Sequence, residues 1–223
     1  MYATLDDFIF VYYENFRSRA YAQILSENGL FPRKVIKLAN EIVPKFFFRY
    51  PKVSLPYSPT EFNPQVSVAS SFEKFGRNIE TILIDNVNSK EFINVLNKFD
   101  CKYLIYSGRA GVILKDEVLN ACEGILHVHG GYLPEYRGST TFYYSILDKF
   151  EIGASAIFIN SETDEGNIIY RQKYSPSKCL DVDYIQDPMV RADVLLGALH
   201  TLMKTDLDEI ALRQDKTKGN TYR

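Results

Sequence analysis

Residues 124–141 read GILHVHGGYLPEYRGSTT, and this stretch carries most of the information on fold and chemistry. A short apolar run leads into His127 and His129, whose spacing of two places both imidazoles on one face of a β-strand. Gly130 and Gly131 then end the strand. Because open α/β sheets build their sites where strands end, the histidine pair is predicted to lie at a functional site.

Strand-like and helix-like segments alternate along the rest of the chain. This alternation predicts an α/β fold, with an open, mostly parallel twisted sheet and helices on both faces. The predicted strands span residues 8–13, 34–38, 80–84, 103–106 and 125–129. The predicted helices span residues 16–26, 89–99, 116–122, 139–150 and 187–203. In the C-terminal half, residues 154–159 and 167–174 are predicted to form an antiparallel strand pair.

Several residues suit the ends of these helices. Asn15 is predicted to cap the first helix, and Ser139 and Thr140 the helix that follows them. Pro188 suits the first turn of the last helix, where proline is tolerated. Pro134 and Gly138 predict that the segment between the histidine pair and Ser139 is a loop.

The chain is predicted to form a single domain over residues 1–223 with three parts. Residues 1–78 are a variable N-terminal part, in which the prolines and aromatics of 39–78 predict a long irregular excursion over the surface. Residues 79–205 are the core that bears the motifs. Residues 206–223 are a polar tail, of which 213–223 are expected to be extended or frayed.

Composition limits the classes of function. The 223 residues have a formal net charge of −2, so charge gives no support for binding to nucleic acid. The three cysteines form no metal-binding spacing and suit a reducing cytosol. The chain begins without a basic leader, and no apolar run approaches the ~20 residues of a membrane helix. We therefore expect a cytoplasmic protein that holds no metal and contacts no membrane.

The turn after the first predicted strand reads Glu14-Asn15-Phe16-Arg17 and contains neither GxGxxG nor GxxxxGK[ST]. A dinucleotide pyrophosphate or a nucleoside triphosphate needs such glycines for its backbone cradle. The turn therefore argues against an NAD-dependent dehydrogenase and against a P-loop enzyme.

His129 is the candidate acid or base, because histidine titrates near neutral pH. The competing interpretation is a core histidine whose nitrogens bond the backbone, and the pairing and the following glycines favour the catalytic one. For His127 two interpretations stay open: an N–H donor that orients a substrate carbonyl, or a packing residue.

Two further loops contain candidate residues. Residues 161–166, SETDEG, place three carboxylates in one turn, of which Asp164 could fix the tautomer of the histidine; a solvated acidic turn is the alternative. Residues 107–114, SGRAGVIL, bracket Arg109 between two glycines directly after a buried strand. The backbone of this loop could contact a flat polar ring, and simple turn chemistry is the alternative.

Together these elements resemble the formyltransferase family that uses 10-formyltetrahydrofolate, which includes glycinamide ribonucleotide transformylase and the sugar N-formyltransferases. The resemblance covers about residues 80–175 and is strongest in HVHGGYLPEYRGSTT and ETDEGNII. The family pattern is Asn-x-His, then a LeuPro-x-Tyr-x-Gly loop, then an Asp-x-Gly loop. His127 departs from this pattern, because it stands at the position of the asparagine.

The resemblance implies a Rossmann-like formyltransferase fold and assigns roles residue by residue. It implies that His129, Asp164 and His127 are catalytic, with His127 in place of the asparagine that steadies the oxyanion on the formyl carbon. It implies that the folate is held by Gly108, Arg109, Ala110, Gly111, Val112, Ile113, Glu162, Thr163 and Gly166. It implies that the acceptor is bordered by Tyr132, Tyr136, Arg137, Gly138 and Ser139.

The implied reaction transfers the formyl group of 10-formyltetrahydrofolate to a primary amine of a small acceptor. An amino sugar, nucleotide-linked or a nonulosonate precursor, is the favoured acceptor. The family also includes methionyl-tRNA formyltransferase, which carries a basic C-terminal domain that this chain does not show. The chain also lacks a glycine-rich turn that would suit a phosphorylated purine precursor. In addition, YRGSTTFYYS resembles a subgroup associated with surface-glycan gene sets. Hydrolysis of formyl-folate and a catalytically degenerate folate- or sugar-binding protein are the alternatives, and a homodimer is left open.

Overall fold

A seven-stranded sheet forms the centre of the computed structural model, which describes residues 5–38, 52–54, 61–76, 80–109, 111–160, 165–205, 207–210, 212–215 and 217–222. The strands are β1 (Phe8–Tyr12), β2 (Lys34–Leu38), β3 (Val53–Ser54), β4 (Glu61–Phe62), β5 (Thr81–Ile84), β6 (Tyr103–Ser107), β7 (Gly124–His129), β8 (Tyr136–Gly138), β9 (Ile152–Phe158), β10 (Ile168–Tyr174) and β11 (Asn220–Tyr222). The helices are α1 (Phe16–Glu27), α2 (Val68–Glu73), α3 (Lys90–Lys98), α4 (Asp116–Leu119), α5 (Thr141–Lys149), α6 (Asp187–Leu202) and α7 (Leu207–Ile210). A 3₁₀ turn, Leu5–Asp7, precedes β1, and a π-helical turn, Val182–Gln186, leads into α6.

The strand order in the main sheet is β10-β9-β7-β6-β1-β2-β5. The five strands from β7 to β5 run parallel to one another. β9 runs antiparallel to both β7 and β10. The predicted fold class, a mostly parallel sheet with an antiparallel pair in the C-terminal half, is confirmed.

The two faces of the sheet have separate cores because side chains alternate along each strand. On β1, Phe8 and Phe10 join the cluster that α1 and α6 cover, whereas Ile9 and Val11 join the cluster that α3 and α4 cover. Both faces of β1 are therefore buried, which explains its continuous apolar run. Burial of each such side chain contributes about 1.5–3 kcal/mol to folding.

Helix capping followed the prediction at one end and departed from it at another. Asn15 caps α1, since its Oδ1 accepts a hydrogen bond from the backbone N–H of Ser18 at 2.9 Å. Thr140 precedes α5 but lies in the left-handed region, with φ 53°, and makes no side-chain cap. Its hydroxyl donates to the carbonyl of Ser139 instead, so the predicted cap at Ser139 and Thr140 is wrong.

The segment 61–76 is not the irregular surface excursion that the prolines suggested. Ser67 caps α2 through a hydrogen bond from the N–H of Ser70 to its Oγ at 3.1 Å. Phe62, Val68 and Phe72 are at most 2% exposed and belong to the core under α1 and α6. Pro64 lies in the turn between β4 and α2 and does not keep this segment outside the core. Residues 39–51, 55–60 and 77–79 lie outside the described residues.

The C-terminal tail is extended but paired, so the expectation of fraying is wrong for residues 220–222. β11 pairs in parallel with β8, within the segment predicted to be a loop. The ring of Tyr222 stacks on Tyr144, with centroids 4.0 Å apart, and lies 6.0 Å from the ring of Tyr136. Because β8 and β11 are far apart in the sequence, no local sequence pattern predicts that they pair.

Gly138 is predicted to be required for this pairing. Its φ is +92°, and a Cβ atom there would clash with the carbonyl oxygen of Tyr222. We expect Gly138→Ala to lower the free energy of unfolding by about 2–4 kcal/mol in urea titration, from backbone strain plus the clash. Gly76→Ala is the matched control, because Gly76 has φ +70° but nothing within 4 Å of the added Cβ. Equal losses in both variants would contradict the role of the Tyr222 contact.

Candidate active site

The carboxyl ends of β1, β6 and β7 meet at one edge of the sheet because the three strands are parallel neighbours. Ser107 ends β6 and Gly108 follows it, while His127 and His129 lie at the end of β7. The histidine pair and the 107–114 loop, which are apart in sequence, are thus brought to adjacent strand ends.

Arg17, in the first turn of α1, ties that helix to the end of β6. Its Nε donates to Ser107 Oγ at 3.2 Å, and its Nη2 donates to the carbonyl oxygen of Gly108. The hydroxyls of Ser18 and Ser107 lie 2.7 Å apart and add a second bond between the two elements. The start of the 107–114 loop is therefore fixed by side chains of α1.

Arg191, on α6, makes the equivalent contact with the end of β7. Its Nη1 donates to the carbonyl oxygen of Val128 at 2.9 Å, and its Nε donates to Asp187 Oδ1 at 2.6 Å. A Cβ atom at Gly130 would clash with Nη2 of the same guanidinium. The absence of a side chain at Gly130 thus allows the approach of Arg191.

Positive charge is concentrated around these strand ends. Burial lowers the pKa of Arg17, and the nearby Arg191 guanidinium lowers it further. Asp187 forms an ion pair with Arg191 and opposes part of this effect. Among the residues that the structure describes, the site therefore brings two guanidinium groups near the carboxylate of Asp187.

His127 is neutral in this field. Its Nδ1 lies 3.2 Å from the carbonyl oxygen of Tyr106, which can only accept, so Nδ1 carries the hydrogen. Burial, and then the charges of Arg17 and Arg191, lower the pKa of this half-buried histidine to about 3. Its Nε2 consequently carries a lone pair and accepts hydrogen bonds, which differs from the N–H donor role that the resemblance implies.

His129 is 5% exposed and is oriented by the chain that follows it. Its Nε2 donates to the carbonyl oxygen of Tyr136 at 2.9 Å. When the imidazole is neutral, Nδ1 is therefore the nitrogen with the lone pair. The carbonyl of Tyr136 thus fixes which tautomer the neutral His129 adopts.

Some residues of the predicted site are not described by the structure. Asp164, Glu162, Thr163 and Ala110 lie outside the described residues, so their roles remain predictions. Gly166 is buried and its carbonyl accepts from Gln214 Nε2 at 2.8 Å.

The described part of the 107–114 loop is anchored at both ends. Gly108 is buried, whereas Arg109 and Gly111 are exposed, Val112 is half-buried and Ile113 is 81% exposed. Asn88 holds the far end, since its Nδ2 donates to the carbonyl oxygen of Ile113 at 2.9 Å. Sequence reasoning missed Asn88, which stands before the cap of α3 and gives no motif.

The residues predicted to border the acceptor make contacts within the protein. The hydroxyl of Tyr136 donates to Asp148 Oδ2 at 2.6 Å. Nη2 of Arg137 donates to the carbonyl oxygen of Lys218 at 2.9 Å. The ring of Tyr132 lies under Arg171 and Lys173, with centroid distances of 4.5 and 4.7 Å, and Ser139 is exposed. Gly138 serves the pairing of β8 with β11.

Arg191 is the site residue that sequence reasoning missed most clearly. It follows Asp187 by four positions, a spacing typical of ion pairs on a helix, but that pattern is common on exposed helix faces. Only the packing of α6 against the sheet brings this pair to the end of β7.

The described residues contain no group of three or more histidine, cysteine, aspartate or glutamate side chains that could hold a metal ion. No helix within them has both the length and the apolar character to cross a membrane.

The sequence matches the family model described as "Formyl transferase" over residues 63–187. This match spans more than half of the chain, so the chain belongs to the formyl transferase family. Members of this family use 10-formyltetrahydrofolate as the formyl donor. The resemblance to the formyltransferase family that the sequence showed is confirmed.

Similar proteins include several kinds of formyltransferase. The methionyl-tRNA formyltransferase of Finegoldia magna is 27% identical over 115 residues, which cover 50% of this chain and 36% of that protein. A sugar N-formyltransferase from Shewanella sp FDAARGOS_354 superposes with a TM-score of 0.60 at 17% identity, over 96% of this chain and 76% of that one. Phosphoribosylglycinamide formyltransferase from Anaplasma phagocytophilum superposes with a TM-score of 0.63 at 12% identity, over 96% of both chains. At these identities the superpositions show the fold alone, and the chain spans about a third of the length of the curated relatives it matches.

The neutral state of His127 predicts a specific acid dependence of stability. In the folded chain the pKa of His127 is about 3, below its usual 6.5. Between pH 3 and pH 6.5 the unfolded chain therefore binds more protons than the folded chain. Stability is therefore complete above pH 6.5 and falls as the pH drops toward 3, by up to about 1.4 kcal/mol per pH unit. We expect His127→Asn to show a shallower loss of the free energy of unfolding between pH 6.5 and 4.5, measured by urea titration. His200→Asn, at an exposed position of α6, is the control and should follow the wild type; an unchanged slope in His127→Asn would refute the assignment.

Proposed function

We propose that the protein transfers the formyl group of 10-formyltetrahydrofolate to a primary amine of a small acceptor, and that this acceptor is an amino sugar, nucleotide-linked or a nonulosonate precursor. The observation that carries the proposal is the position of His127 and His129 at the end of β7, beside the anchored 107–114 loop. In a chain of the formyl transferase family, this is where donor and acceptor would meet.

The choice of an amino sugar as the acceptor concerns a separate set of observations. A solved sugar N-formyltransferase shares the fold over 96% of this chain, but relatives that act on other acceptors match as well. The first turn, Glu14-Asn15-Phe16-Arg17, lacks the glycines of a backbone phosphate cradle. The amino sugar is therefore the acceptor class to be tested first.

The described part of the 107–114 loop suits a flat polar ring such as the pterin of the donor. Arg17 and Asn88 bond the carbonyls of Gly108 and Ile113, which anchors the two described ends of the loop. Half-buried Val112 and the exposed side chain of Ile113 give the loop an apolar edge. When bound, the donor supplies the formyl carbon: its bond to the acceptor nitrogen forms, its bond to N10 breaks, and one acceptor proton ends on N10.

In this proposal His129 moves the proton of the amine. The bond from Nε2 to the carbonyl of Tyr136 holds the imidazole, so Nδ1 takes up the proton. Asp164, in the family position, would stabilise the imidazolium that forms. Nε2 of His127 would accept a hydrogen bond from the amine, and the two nearby guanidiniums favour the neutral form of that amine, which is the nucleophile.

Removal of the imidazole of His129 or of the carboxylate of Asp164 should nearly abolish formyl transfer. We expect His129→Ala and Asp164→Ala to lower the rate of tetrahydrofolate formation by about 10²–10⁴-fold, the usual contribution of general acid–base catalysis. His200→Ala, at an exposed position, is the control. Unchanged turnover in both site variants would contradict the assignment.

Product analysis separates this reaction from its alternatives. A formamide product that requires the amine supports transfer. Formate released at the same rate with and without candidate amines would instead indicate hydrolysis, and binding of formyl-folate without turnover would indicate a binding protein.

His127→Asn tests the departure from the family pattern. The asparagine amide can both donate and accept a hydrogen bond, so it can meet whichever need the site has at this position. We expect kcat for formyl transfer to be preserved or raised in this variant. Complete loss of activity would show that the imidazole itself is needed.

A further inference from the structure

Strand β11 bonds the chain on both sides of Tyr136. The N–H of Asn220 donates to the carbonyl oxygen of Glu135 at 3.0 Å, and the N–H of Ser139 donates to the carbonyl oxygen of Tyr222 at 3.0 Å. Asn220 lies opposite Tyr136 in this parallel pairing. β8 is therefore held along its whole length by residues that are distant in the sequence.

The other edge of β8 faces His129. Successive peptide groups of an extended strand turn over, so their carbonyl oxygens point alternately to the two edges of the strand. The carbonyl of Glu135 points to β11, and the next carbonyl, that of Tyr136, accepts the hydrogen bond from Nε2 of His129 at 2.9 Å. β8 thus lies between β11 and the imidazole, and its pairing with β11 sets the direction of the carbonyl that orients His129.

The carbonyl of Tyr136 and the imidazole of His129 are packed closely. A Cβ atom at Gly131 would lie 2.5 Å from that carbonyl oxygen and 2.7 Å from Nε2 of His129, so both groups lie against the bare backbone of this glycine. His129 is buried, and a buried N–H that loses its acceptor destabilises the protein. A displaced β8 would therefore favour a turned ring or the other tautomer, with the hydrogen on Nδ1.

The ring of Tyr222 attaches β11 to the helix that follows β8. This ring stacks on Tyr144 of α5, with centroids 4.0 Å apart, and lies 6.0 Å from the ring of Tyr136. The hydroxyl of Tyr136 donates to Asp148 Oδ2, also on α5, at 2.6 Å. The three rings therefore pack β8 and β11 against one helix, and Tyr222 is the contribution of β11 to this packing.

We propose that β11 is a positioning element of the candidate active site and that Tyr222 is its positioning residue. The Tyr222 ring seats β11, β11 sets the Tyr136 carbonyl, and that carbonyl keeps the hydrogen of His129 on Nε2. The lone pair of Nδ1 is then held in the direction from which it takes up the proton of the amine. This inference rests on the proposed function and goes beyond it, because it makes proton transfer depend on a residue that acts through two others.

The tautomer of His129 reports this positioning without turnover. In the full chain at about pH 8.5, where histidine side chains are ordinarily neutral, ¹⁵N NMR distinguishes hydrogen on Nε2 from hydrogen on Nδ1. His127→Asn and His200→Asn each remove one other histidine signal and so assign that of His129. We expect the hydrogen on Nε2 in the wild type and in Tyr222→Phe, which keeps the stacked ring, and a mixture of both tautomers in Tyr222→Ala.

Gly219→Ala displaces β11 by a different route and has a matched control. Gly219 has φ +80°, and an added Cβ would clash with the carbonyl oxygen of Pro134, just before β8. Gly29 has φ +70° and nothing within 4 Å of an added Cβ, so Gly29→Ala carries the backbone strain alone. We expect both variants to lose stability in urea titration, but the tautomer mixture only in Gly219→Ala. Wild-type ¹⁵N signals of His129 in both Tyr222→Ala and Gly219→Ala would overturn the proposal.

Kinetics then separate the positioning role from the proposed function. With 10-formyltetrahydrofolate and amino sugars as acceptors, we expect Tyr222→Ala to lower kcat at least about tenfold and Tyr222→Phe to keep it, since a small misplacement of a reacting group is costly. KM for the donor should stay within about twofold of the wild type, because the 107–114 loop is anchored by other residues.

The two measurements fail in different ways. An unchanged kcat in a variant whose tautomer has shifted would refute the role of His129 in formyl transfer and leave its positioning by β11 standing. A fall in kcat with the tautomer of the wild type would refute the positioning. Formyl transfer to no amine in the wild type would refute the proposed function, and the tautomer would then decide the positioning by itself.

Discussion

Two guanidinium groups hold the carboxyl ends of neighbouring strands, and the candidate site depends on them. Arg17 bonds Ser107 and the carbonyl of Gly108 at the end of β6, and Arg191 bonds the carbonyl of Val128 at the end of β7. A backbone carbonyl at the end of a strand has no hydrogen-bond donor on the neighbouring strand. When it is buried, it needs a donor from elsewhere. By supplying it, the arginines fix where the loops leave the sheet, and with them the backbone that positions the histidines.

This arrangement sets the electrostatics of the site as well as its shape. Placing two cations in a half-buried region near one carboxylate is costly, as the lowered pKa of Arg17 reflects. The same charges and burial keep His127 neutral, with its proton on the nitrogen that faces Tyr106. The structural need to hold strand ends and the chemical need for an acceptor nitrogen are thus met by one set of residues.

The sequence could predict those features that depend on a local pattern of residues. The apolar runs of β1, β2, β6 and β7 predicted the sheet, and the His127–His129 spacing predicted a strand, which the structure shows as β7. The sequence could not predict contacts that depend on packing between distant segments, such as Arg191 with Val128, 63 positions apart, or β11 with β8. At Thr140 residue type favoured a cap, but the turn leaving β8 imposes a left-handed backbone there, and tertiary geometry overrides the preference.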